Sequence, residues 1–153
     1  MLDKFNRFFS LNINETVEVN DPTNFAQCMD LAYAWCDTLK IPRDAIRHLY
    51  AHQVYTQPTA TTRKYFDLYK NTLTFIPRVG DLAVFKATSG NVAGHIAVVT
   101  DKSTLFHLVT LDQNWDTAHY YHIDPKTKKR VPYTRIVVHR FYSGCIGFLR
   151  PKA

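Results

Sequence analysis

Cys28 follows the run Asp21-Pro22-Thr23-Asn24-Phe25-Ala26-Gln27, and the residues around it predict a helix that carries the thiol in its first turn. Unpaired backbone N–H groups and the positive end of the macrodipole gather at a helix start. Both favour a thiolate, the form in which sulfur attacks a carbonyl carbon. His95 opens an apolar strand in Gly94-His95-Ile96-Ala97-Val98-Val99. Further on, Leu111-Asp112-Gln113-Asn114-Trp115 is a strand-like segment with a carboxylate and an amide two residues apart. A nucleophile, a base and a group to orient the base are therefore available in that order, which is the set that acyl transfer through a covalent intermediate requires.

The remaining thiols and imidazoles read differently. Cys36 lies two turns further along the same helix face and Cys145 sits among strand apolar residues, so both are expected in the core. His48 and His52 are four apart in an expected short helix and could share a zinc ion on one face. No glutamate follows His48, so the HExxH metalloprotease pattern is absent. His119 and His122 fall on opposite faces of an expected strand, a poor geometry for joint ligation. The tyrosines at 50, 55, 65 and 69 suit either a substrate groove or amphipathic surface cover.

The elements that must position these groups follow from periodicity. Phe25, Cys28, Met29, Ala32, Trp35, Cys36 and Leu39 recur at i, i+3, i+4 and i+7, predicting an amphipathic helix over 24–40 with Thr23 or Asn24 as N-cap and Pro42 as the stop. A shorter helix is expected over 44–53, a loop over 56–62, and an aromatic-rich turn or helix through Tyr65, Phe66 and Tyr69. From Pro77 onward short β-rich runs alternate with turn residues, and strands are expected over 81–86, 95–101, 104–113, 118–123, 134–141 and 145–149. Helices first and strands later define an α+β class, with N-terminal helices packed on a C-terminal antiparallel sheet.

Length and composition bound the rest. A chain of 153 residues with 46% hydrophobic and 21% charged residues reads as one globular domain over 1–153, not a disordered or repetitive one. Its net charge of +6 attracts anionic partners. Three cysteines without CxxC spacing argue against a disulfide framework or a four-thiolate zinc site. The first ten residues lack the apolar core of a signal peptide, and no window approaches a membrane span, so synthesis in the host cytoplasm and no membrane partner are expected. No nucleic-acid-binding signature is present, and none of the basic residues outside Lys126, Lys128, Lys129 and Arg130 cluster densely.

Taken in order, Gln27-Cys28-Met29-Asp30, Gly80-Asp81-Leu82-Ala83-Val84-Phe85, Gly94-His95-Ile96, Asp112-Gln113-Asn114-Trp115 and Gly147-Phe148-Leu149-Arg150-Pro151 resemble the CHAP domain family, over nearly the whole chain. CHAP domains are papain-like (NlpC-type) cysteine amidohydrolases and peptidases of peptidoglycan, common in phage lysins. The resemblance implies Cys28 as nucleophile and His95 as base, with the orienting role at Asp112 or Asn114. Period two puts those two on one strand face, and Asp112 is the first choice. Many members carry Glu at that position, so the acid here is one methylene shorter. Gln27 and Trp115 are the expected substrate contacts.

Some members hold calcium in an acidic loop before the cysteine. In Glu18-Val19-Asn20-Asp21-Pro22-Thr23 that loop is depleted, leaving Asp21 and Asp30 as the comparable carboxylates. No cofactor is required by the chemistry, and calcium is the one metal the resemblance suggests. The substrate implied is an amide of bacterial peptidoglycan, either the N-acetylmuramoyl-L-alanine bond or a stem or cross-bridge peptide bond. The basic 126–130 tip suits anionic wall polymers, and the chain would act at the wall as a monomeric lysin or within a virion assembly. The rival readings are a cysteine protease or amidase on non-wall substrates, and an inactive wall-binding or structural module.

Overall fold

The computed structural model describes residues 1–19 and 27–152. Among the described residues four helices come in the first part: α1 Leu2–Asn12, α2 Cys28–Leu39, α3 Gln53–Thr56 and α4 Ala60–Tyr65, with a 3-10 turn at Arg43–Ala45. Eight strands follow: β1 Phe66–Lys70, β2 Leu82–Phe85, β3 His95–Val99, β4 His107–Asp112, β5 His122–Ile123, β6 Arg130–Val131, β7 Arg135–Arg140 and β8 Cys145–Pro151. Six of them form an antiparallel sheet in the order β1-β8-β2-β3-β4-β7, and β5 with β6 makes a separate two-stranded ribbon. The α+β class with helices against an antiparallel sheet is the one the sequence predicts.

The period-3.6 face of α2 is what joins the two halves. Leu31, Ala32, Trp35 and Cys36 are buried against Leu82, Val84, Ile96, Val98, Leu111 and Leu149 of the sheet. Each large aliphatic or aromatic side chain removed from water there contributes about 1.5–3 kcal/mol. Trp35 also satisfies its indole N–H, which donates to the carbonyl of Gly80 at 2.9 Å where the chain enters β2. α1, for which the sequence reading made no helix, adds Phe5 and Phe8 against Trp35 at ring separations of 6.1 and 5.1 Å. The opposite sheet face buries Ala83, Phe85, Ala97, Val99, Leu108 and Phe148.

Several boundaries depart from the sequence expectation. Residues 66–70 are a strand, not a turn or helix: Phe66 pairs with Pro151 and Lys70 with Gly147 at the sheet edge. A short aromatic segment carries little period of its own, and its conformation is set by the partner strand. The helix expected over 44–53 is replaced by the 3-10 turn and bends. Ala45, Ile46, Ala51 and Val54 are buried while Leu49 is 83% exposed, a spacing that no single helical face provides. The expected loop 56–62 instead starts α4, whose Thr59 and Thr62 cap each other reciprocally through two backbone-to-hydroxyl bonds of 3.0 Å. Of the strand expected over 118–123, only His122 and Ile123 pair, with β6.

Candidate active site

The described part of α2 starts at Cys28, with Gln27 as an extended N-cap at φ −119° and ψ 172°. Thr23 and Asn24, the expected caps, lie outside the described residues. Asp30, buried at N3, accepts the N–H of Gln27 at 2.8 Å and that of Val19 at 3.3 Å. Its carboxylate therefore draws the incoming chain onto the helix start. Cys28 is half-buried there, and the Gln27 side chain is exposed beside it.

A second tie comes from the sheet. Gln113, fully buried, donates to the carbonyls of Val17 at 2.8 Å and Gln27 at 2.9 Å and accepts the Val17 N–H at 2.7 Å. Sequence reasoning missed this residue. Its partners lie far upstream, and between the polar neighbours Asp112 and Asn114 nothing in the sequence marked it as buried.

His95 enters β3 from a turn that only glycine permits. Gly94 has φ +67°, and a Cβ on it would stand 2.5 Å from the Phe85 carbonyl oxygen. The imidazole is buried, and its Nε2 lies 2.7 Å from Oδ2 of Asp112. The other ring nitrogen is then left for Cys28, whose side chain favours the protonated imidazole. Burial alone would depress the imidazolium, but the bond to Asp112 and the influence of Cys28 outweigh it and raise the pKa from 6.5 to about 10. Burial likewise works against the Asp112 carboxylate, and the nearby imidazoles of His139 and His95, the latter hydrogen-bonded to it, overcome it, lowering its pKa to about 2.

Asp112 and Asn114 do not share a face. β4 ends at Asp112, and the chain turns through a left-handed residue at Asn114, φ 62°, so the period-two argument stops one residue short. Asn114 is exposed, and its side-chain oxygen accepts the Thr117 hydroxyl. It borders the cleft without reaching the imidazole partner position that Asp112 fills. Trp115, 41% exposed, sets its ring edge-on to His95 at 4.8 Å and to His139 at 4.6 Å, while Phe85 faces His95 at 5.6 Å. Phe85, Lys86, Asn91, Gly94, Asn114 and Trp115 line a cleft of about 210 Å³ that opens on His95.

The metal expectations fare differently. Asp21 lies outside the described residues, and both oxygens of Asp30 face backbone N–H groups. Among the described residues no group of three or more His, Cys, Asp or Glu side chains could hold a metal ion, so those residues alone do not make up a calcium site. His48 lies outside any helix and His52 in the turn that caps α3, so they do not share one helix face, which removes the geometric reason for zinc between them.

A thiol at a helix start, a buried imidazole beside it and a carboxylate behind the imidazole have the parts of a thiol-dependent acyl-transfer site on an α+β fold. The model of the CHAP domain matches residues 18–114, and the chain belongs to that family. It is 34% identical to the endolysin PlyTW of Staphylococcus phage Twort over 88% of this chain and 28% of that protein. A probable autolysin of Staphylococcus aureus is 30% identical over 59% of this chain and 18% of its own length. The crystal structure of the endolysin LysIME-EF1 superposes with a TM-score of 0.65 at 23% identity, covering 97% of this chain and 62% of that one. The chain thus spans under a third of these two relatives.

Proposed function

We propose that this domain hydrolyses an amide bond of bacterial peptidoglycan through a thioester on Cys28. The observation that carries the reading is the buried His95, bonded at 2.7 Å to Asp112 and turned to the thiol at the start of α2. The Cys28 thiolate adds to the amide carbonyl, and the oxyanion meets the first-turn N–H of Cys28 itself. Collapse breaks the C–N bond as His95 gives its proton to the leaving amine. Neutral His95 then takes a proton from water, which attacks the thioester. That releases a carboxylate and regenerates the thiolate and the imidazolium. Asp112 holds the imidazole and balances its charge throughout.

The names of the relatives, endolysin and autolysin, support the wall as the place of action. The cleft beside Trp115 and His95 is where the peptide or lactyl-peptide part of such a substrate would lie. On the β5–β6 ribbon, exposed Lys126, Lys128, Lys129 and Arg130 offer a basic surface to anionic wall polymer, with Arg130 stacked on Tyr121 at 4.5 Å. The test is release of new amines from purified staphylococcal sacculi, with product masses naming the bond, by wild type, Cys28→Ala, Asp112→Ala and Asn114→Ala, with and without added calcium. Release that needs Cys28 and falls further in Asp112→Ala than in Asn114→Ala is expected. Amine release undiminished in Cys28→Ala, or none from sacculi beside cleavage of soluble proteins, would overturn the reading.

A further inference from the structure

We propose that His139 is a positioning residue: acting through the Thr110 hydroxyl, it fixes the Asp112 carboxylate that keeps His95 turned to Cys28. The inference rests on the roles assigned above to Cys28, His95 and Asp112. β7 alternates buried Val137 and His139 with exposed Ile136, Val138 and Arg140, so His139 faces the same side of the sheet as Thr110 and Asp112 of β4. Its Nε2 lies 2.9 Å from Oγ1 of Thr110 and 3.6 Å from Oδ2 of Asp112. The Thr110 hydroxyl bonds in turn to Oδ1 of Asp112.

The direction of these bonds follows from counting protons. An ionised carboxylate only accepts, and a threonine hydroxyl has one hydrogen to give. That hydrogen goes to Asp112, so the hydrogen between His139 and Thr110 must sit on Nε2 of His139. The chain therefore runs from His139 to Thr110 to Asp112 on one side and from His95 to Asp112 on the other. Each carboxylate oxygen is held by its own donor. His139 is 4% exposed and Asp112 is fully buried, so water does not compete for these bonds. Trp115 touches both imidazoles edge-on, and Phe85 lies 4.6 Å from the His139 ring and 5.6 Å from that of His95. Both histidines are thereby packed by the same two aromatic rings. The ionisable groups of the cluster are Cys28, His95, Asp112 and His139.

The test compares wild type, His139→Leu, His139→Gln and Thr110→Val in two assays. Hydrolysis of sacculi is expected to fall about 10–100-fold in kcat for His139→Leu, with the apparent KM within about twofold. His139→Gln, which keeps an N–H donor near the Nε2 position, should recover most of that loss, and Thr110→Val should behave as His139→Leu does. The second assay is alkylation of Cys28 by iodoacetamide as a function of pH, which reads the Cys28–His95 pair without any substrate. A displaced alkylation profile in His139→Leu and Thr110→Val, restored in His139→Gln, supports the positioning role even if wild type leaves sacculi intact. Identical profiles and identical kcat in folded His139→Leu would reduce His139 to core packing. Should that variant not fold, Thr110→Val with a wild-type profile overturns the proposal equally.

Discussion

Gln113 Nε2 and the Gln27 carbonyl oxygen stand 2.9 Å apart, so the residue after Asp112 holds the residue before Cys28. The sheet that carries His95 and Asp112 is thereby tied to the backbone that leads into Cys28. Gln113→Leu should leave the Val17 N–H and two carbonyls without this partner, at about 1–3 kcal/mol for each group that stays buried and unpaired. Urea unfolding should show the lower midpoint, and kcat should fall more than KM rises. A wild-type midpoint with wild-type kcat would deny Gln113 this role.

The His95–Asp112 pair sets the sign of a pH dependence. His95 has its pKa raised to about 10 in the fold, so its contribution to stability is full below 6.5 and is lost as pH rises through about 10. Asp112 is lowered to about 2, so its contribution is full above 3.8 and is lost as pH falls through about 2. Melting temperatures of wild type should decline from pH 6.5 toward 10. The difference between wild type and Asp112→Asn should shrink over that range. A constant difference across it would mean that the pair does not bind the proton more tightly when folded.

Arg150 and Asp81 join two motif pieces that sequence reasoning quoted together without giving them a task. Arg150 Nε and Nη2 meet the two Asp81 oxygens at 3.0 and 2.8 Å, and the guanidinium lies 4.6 Å from the centre of the Tyr69 ring. Burial pushes the Asp81 carboxyl up against the opposing pull of Arg150. Arg150→Met should cost about 3–5 kcal/mol by leaving that carboxylate buried without its cation. Adding Asp81→Asn should restore much of the loss in chemical denaturation. If the double variant is no more stable than Arg150→Met, the packing of the arginine over Tyr69 is what matters.

The elements that carry Cys28, His95 and Asp112 were legible, α2 from its helical stripe through Trp35 and β3 and β4 as short apolar runs, whereas the meeting of His95 with Asp112 is a product of the fold. Asn114 was misplaced because period two was carried beyond the end of the strand into a left-handed turn. β1 was unreadable since Phe66–Lys70 owes its conformation to β8, and the bends at 46–52 follow burial of Ile46 and Ala51 instead of a repeat. Gln113 and His139 escaped notice for a shared reason. Their partners come from segments remote in sequence, and only the fold brings them within reach. For His139 a faint signal existed, since it alternates inward with Val137.

The three cysteines are of two chemical kinds. Cys36 and Cys145 are buried, and burial pushes both thiols up to about 12, which keeps them un-ionised at neutral pH and disfavours their alkylation and oxidation. Cys28 stands half-buried beside an imidazole. On the proposed mechanism a folded sample should therefore offer one sulfur per molecule to an alkylating reagent, whose uptake would count those sites stoichiometrically. Peroxide would take that sulfur to the sulfenic acid and beyond while the core thiols stay reduced, so an aged preparation can lose its chemistry with its fold intact, and a reductant restores only the first rung of that loss.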